Sequence, residues 1–168
     1  MKSLWKLLFA LCLVVFSTSV PVIRPPITAQ IMEQLVKVVD SLFYTPGSPF
    51  NGNNRKYFRF AFHDCMGGCD GSINATNPSN KGLEATALKF TAAYSNPRRS
   101  PNTSFVMTYL SRADFFTLVE LRALANGIKK ANLGFATFNN ATPAFNYGRV
   151  DNPLGPVRDD TEGTFPKG

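Results

Sequence analysis

The chain has 168 residues, of which 44% are hydrophobic and 17% charged, with a formal net charge of +7. That length fits one domain or a piece of one, with enough apolar material for a buried core. The positive excess lies in isolated pairs, Arg55-Lys56, Arg98-Arg99 and Lys129-Lys130, with no long basic run. Nothing in that pattern argues for nucleic acid; adhesion to acidic polymers is the weak implication that remains.

The first 19 residues read as an export signal. Lys2 and Lys6 precede a ten-residue apolar run, Leu7 to Phe16, followed by the small residues Ser17, Thr18 and Ser19. The run is too short to span a bilayer, so the chain is expected to be secreted rather than transmembrane. A buried N-terminal helix is the alternative. Cys12 leaves with the signal, and residues 20–168 form the mature chain. Cys65 and Cys69 then remain, an even count in an oxidising compartment, which points to a disulfide; free thiols or metal ligands are the alternatives. Asn74, Asn102 and Asn140 begin N-x-S/T sequons, consistent with a secreted glycoprotein.

Beyond Pro25-Pro26, Thr28 to Tyr44 has the period of a helix, with Ile31, Leu35, Val38, Val39, Leu42 and Phe43 on one face. Thr45 to Asn54 is rich in Pro, Gly, Ser and Asn and reads as a loop. Asn53 or Asn54 can cap a second helix running to about Cys65. Met66 to Asn80 contains three glycines and Pro78, which excludes a long regular element. Leu83 to Tyr94 is helix-like again, and Ser95 to Thr108 reads as a polar loop. Ser111 and Asp114 form an S-x-x-D capping pattern that starts a helix ending near Asn126-Gly127 or one turn later. Asn132 to Gly168 shows no periodicity and holds five Gly and four Pro. The expectation is an all-α fold of about four main helices with long loops. Fifteen Phe residues can fill such a core or wall an apolar cofactor pocket.

The chemistry concentrates in Arg59-Phe60-Ala61-Phe62-His63-Asp64-Cys65. Arg59 and His63 are four apart and share a helical face, with Phe62 beside them. A neutral imidazole can take a proton from hydrogen peroxide and return it to the leaving oxygen. A fixed guanidinium can stabilise charge that develops as the O–O bond breaks. On spacing alone, a structural Arg–His pair is the competing explanation. Asp64, Asp70 and Ser72 place hard oxygen donors in a loop containing Gly67, Gly68 and Gly71, a composition that favours calcium over softer metals. A solvated acidic turn has the same composition.

With these residues in view, the chain resembles the plant-type haem peroxidase superfamily. The match is R-x-x-F-H-D-C at Arg59 to Cys65, then G-C-D-G-S at Gly68 to Ser72. Asn80-Lys81-Gly82-Leu83 resembles the family's N-x-G-L, Ser111 to Phe115 its S-x-A-D-F, and Gly148 to Asp151 its G-R-x-D. The resemblance implies the distal, peroxide-side half of that helical fold and an enzyme reducing hydrogen peroxide at the expense of a small organic donor, in response to oxidative stress. It implies haem b and Ca2+ as cofactors. His63 is the implied acid–base, Arg59 the distal arginine, Phe62 the aromatic over the haem, and Asn80 the residue that fixes the His63 tautomer. Asp64, Gly68, Asp70 and Ser72 are the implied calcium ligands, Gly68 through its carbonyl, and Cys65–Cys69 the implied disulfide. The cysteines have three residues between them where the secreted plant branch has four, and the downstream motifs resemble the ascorbate-type branch. The family holds iron through a proximal His on a later helix, whereas His63 is the only histidine here. The expectation is therefore a distal half whose activity depends on a proximal half. A secreted, haem-free calcium-binding glycoprotein serving as a binding or matrix module is the other expectation.

Overall fold

The computed structural model describes residues 22–44, 53–66, 68–95, 103–130 and 145–158. Within them the chain is mostly helical. Helix α1 spans Ala29–Phe43, α2 spans Asn53–Met66, α3 spans Glu84–Ser95, α4 spans Thr103–Tyr109 and α5 spans Arg112–Lys130. A short 3-10 turn covers Pro78–Asn80. The residues of the expected signal, and the sequons at Asn102 and Asn140, lie outside the described residues. Among the described residues no helix is long and apolar enough to cross a membrane.

Local chemistry sets the helix starts. Thr28 caps α1, its hydroxyl accepting the Ile31 N–H at 3.3 Å, which satisfies one of the donors a helix start leaves open. Ser111 caps α5 through the Asp114 N–H at 2.9 Å. The expected capping pattern is met on one side only. The Asp114 carboxylate does not turn back to the cap; it accepts N–H groups from Gly148 and Arg149 in the distant tail.

Two of the sequence expectations change. Among the described residues there are five helices where about four main ones were expected, because Thr103–Tyr109, largely inside the stretch expected to be a polar loop, forms α4. That segment has one buried apolar residue, Val106, so too little periodicity shows in seven residues to reveal it. The tail expected to lack regular structure contributes a two-residue strand, β2 (Val157–Arg158). It pairs in parallel with β1 (Ile73–Asn74) in the glycine-rich segment. A two-residue pair leaves almost no alternation to read, and its partner lies more than eighty residues away.

The core forms where α1, α2, α3 and α5 meet. Leu35, Val39, Phe60, Leu83, Phe90, Phe115, Phe116, Leu118 and Val119 are fully buried. The phenylalanines interlock edge to face. Phe90 lies 5.3 Å from Phe43, 5.4 Å from Phe60 and 5.3 Å from Phe116, centroid to centroid, the spacing at which ring quadrupoles attract. Much of the Phe content thus builds the helical core. Arg122 on α5 grips Asp40 on α1 through two hydrogen bonds of 2.9 and 2.7 Å, fixing the helices' relative rotation. Packing α2 against this core buries Tyr57, Phe60, Ala61 and Asp64 and turns Arg59, Phe62 and His63 toward its other side.

Candidate active site

The side chains of Arg59 and His63 converge on one short turn. Arg59 is exposed, and its guanidinium donates to the backbone carbonyls of Ser79 and Lys81. Half-buried His63 meets the residue between them: its Nδ1 lies 2.6 Å from Asn80 Oδ1. Asn80 is buried at 4% exposure, and its Nδ2 donates to the Asn74 carbonyl at 2.7 Å. A carbonyl accepts only, so this second bond fixes which end of the amide is oxygen. The oxygen therefore faces His63, and in a neutral ring the imidazole proton sits on Nδ1 and the lone pair on Nε2. Phe62 stands edge-on to His63 with ring centroids 6.0 Å apart, and its ring is 53% exposed. Phe58 and Met66, one turn to either side of Phe62, are similarly exposed at 47% and 49%. The result is a basic nitrogen and a permanent cation beside an open apolar strip.

The loop after α2 is held by Asp64. This carboxylate is 1% exposed and accepts the Gly71 N–H at 3.0 Å and the Ser72 N–H at 3.2 Å. Its backbone carbonyl takes the Cys69 N–H. Cys65 and Cys69 are joined as a disulfide. Gly71 has φ +72, and a Cβ there would stand 2.9 Å from the Ala113 backbone nitrogen, so only glycine lets the loop meet the start of α5. Asp70 accepts the Ser72 hydroxyl at 2.5 Å and the Asn152 amide at 2.7 Å.

Of the implied calcium ligands, Asp64, Asp70 and Ser72 thus share one bonded cluster, while Gly68 is exposed on the outer turn at φ +121. Among the described residues no three His, Cys, Asp or Glu side chains gather at metal-holding distances; the cluster holds two carboxylates, Asp64 and Asp70, beside the neutral Ser72 hydroxyl. Its chemistry suits a hard cation. Burial pushes the Asp64 carboxyl up to about 7; the Asp70 charge adds to the rise, and the Ser72 and Gly71 N–H bonds oppose it. Asn74, which begins a sequon, is only 5% exposed, and its side-chain oxygen takes the Thr76 N–H and hydroxyl. A glycan has no room at that amide in this fold.

The sequence reading met Asn74 only as a sequon and Asp151 only within G-R-x-D, and gave Glu120 and Asn152 no role; all four bear on the site. Asp151 accepts the Ala113 N–H at the start of α5 at 2.9 Å. Burial pushes the Glu120 carboxyl up to about 7, with the Asp64 charge adding and Arg149 opposing. A carboxyl raised from 4.5 in the unfolded chain keeps its proton longer when folded, so it favours the fold below pH 4.5 and loses that contribution as pH rises through 7. Glu120→Gln is accordingly expected to stabilise the chain by about 1–2 kcal/mol at pH 8, after discounting for partial exposure. Urea melts at pH 4 should show no such gain; an equal gain at both pH values would reject the titration account.

No protein-family model matches the chain. Neither does any curated protein or solved structure. What the site does must therefore be argued from its own geometry.

Proposed function

We propose that this chain supplies the peroxide side of a haem peroxidase, secreted and acting on hydrogen peroxide with a small organic electron donor. The observation that carries the reading is the Asn74–Asn80–His63 chain, which sets the imidazole as an Nδ1–H tautomer with a basic Nε2. In this role Nε2 accepts a proton from hydrogen peroxide and returns it to the departing oxygen, which leaves as water. Arg59, anchored to the turn that carries Asn80, holds its guanidinium charge where negative charge develops. Exposed Phe62, Phe58 and Met66 offer an apolar bed for a flat macrocycle, so the residues fit the distal side of haem b. Haem, when bound, would supply the two electrons that reduce hydrogen peroxide to two waters and would recover them from the donor in two one-electron oxidations. Asp64, Asp70, Ser72 and the Gly68 carbonyl would hold Ca2+, with the disulfide bracketing the loop.

The test is to titrate the full-length gene product with haem and follow the Soret region, then add hydrogen peroxide with a phenolic donor. A saturable Soret shift and donor oxidation are expected. Absence of both, in a protein whose circular dichroism shows it folded, would remove the haem reading.

The acidic pair Asp64 and Asp70 favours a second reading, a haem-free calcium-binding glycoprotein module. Both readings predict that calcium raises the melting temperature, by about 2.7 kcal/mol of stability at a hundredfold excess over Kd. Identical melts in calcium and in chelator would count against the ion in either reading. Haem binding separates the two.

A further inference from the structure

The segment 148–158 reaches the site without containing any of its reacting groups. At one end, Asn152 holds Asp70 twice: its Nδ2 donates to Oδ2 at 2.7 Å and its backbone N–H to the Asp70 carbonyl at 2.8 Å. At the other end, Pro156 and Arg158 offer carbonyls to the Ile73 and Ala75 N–H groups at 3.1 and 2.7 Å. Those two donors flank Asn74, whose carbonyl orients Asn80 and through it His63. Arg112 ties the clamp to α5, bonding both the Gly71 and the Asn152 carbonyls. The strap therefore splints the 70–75 loop at its two ends, and from that loop the Asn74 carbonyl reaches the imidazole through Asn80.

We propose that Asn152 is a positioning residue for His63: by clamping Asp70 it fixes the strap against the 70–75 loop, and so sets the carbonyl that selects the imidazole tautomer. The interest of this rests on His63 being the working base, but the geometry and its test do not.

His63 is the only histidine, so one imidazole spectrum reports the site without ambiguity. The measurement is the 15N chemical shifts of the two ring nitrogens in the full chain, at a fixed pH where the ring is neutral and at fixed calcium. The wild type is expected to show the Nδ1–H form. In Asn152→Ala the ratio of Nδ1–H to Nε2–H forms is expected to fall about 2- to 12-fold, the range set by one lost hydrogen bond. Asn152→Ser gives a second reading should the alanine variant fail to fold: its hydroxyl is too short to reach Asp70 but can still accept the Leu154 N–H that Asn152 Oδ1 now takes. Arg122→Ala is the control, removing the remote ion pair to Asp40; it should lower the melting temperature and leave the tautomer alone. An unmoved ratio in the folded Asn152 variants overturns the proposal while leaving the peroxide reading intact. So does an equal movement in Arg122→Ala, which would make the effect general loosening. A wild type in the Nε2–H form would overturn both.

Discussion

Asp114→Ala is expected to cost about 3–5 kcal/mol of folding stability, a large part of the 5–15 kcal/mol that a domain of this kind possesses. Asp114 is 1% exposed, in the first turn of α5. Its carboxylate accepts the Gly148 N–H at 2.8 Å, the Arg149 N–H at 3.2 Å and the Arg149 guanidinium at 3.0 Å. Truncation leaves two part-buried backbone donors and the Arg149 charge without that acceptor, and each loss carries its own desolvation penalty. It also frees the strap from α5 at one of its anchors. Asp114→Asn keeps one acceptor and the shape, and should fall between wild type and alanine. Urea unfolding decides the matter: a loss below about 1 kcal/mol for the alanine variant would mean that the pair contributes no more than an exposed surface bridge.

His63→Ala is expected to lower peroxide reduction by the haem-loaded protein about 100- to 10,000-fold, the usual contribution of one positioned acid–base group. The same variant should melt close to wild type, because His63 is only half-buried and the core lies on the other face of α2. Removing the base leaves hydrogen peroxide to lose its proton to water, at much lower effective concentration. Asn80→Ala should give a smaller loss, on the order of tenfold, since it removes only the bond that biases the tautomer. If His63→Ala turns over within a few-fold of wild type, the imidazole is not the acid–base group and the peroxidase reading falls with it.

These two expectations differ in how far the sequence foretold them. The Arg59–His63 spacing is legible because α2 has a fixed pitch: four residues along a helix is one turn, whatever packs behind it. The Ser111 cap is legible for the same reason, being a contact within three residues. Asp114 is a different case. Its spacing from Ser111 suggests a local capping partner, yet the carboxylate bonds residues 34 and 35 positions away. Local pattern cannot weigh a partner that only folding brings near.

What the sequence by itself determined is the set of helices with enough length to show a period, the Ser111 helix start, and the group of Arg59, Phe62 and His63 on one face. It also placed Asp64 and Cys65 at the end of a helix, next to the glycine-rich turn that carries Cys69, Asp70 and Ser72. The tertiary structure alone decided the rest. It brought Asn80 onto the His63 Nδ1 and the Asn74 carbonyl onto Asn80. It buried the Asn74 amide that begins a sequon, and it laid the 148–158 strap across the 70–75 loop. Each of these depends on backbone carbonyls and amides of irregular segments, which every residue type possesses and which therefore leave no mark in the order of side chains.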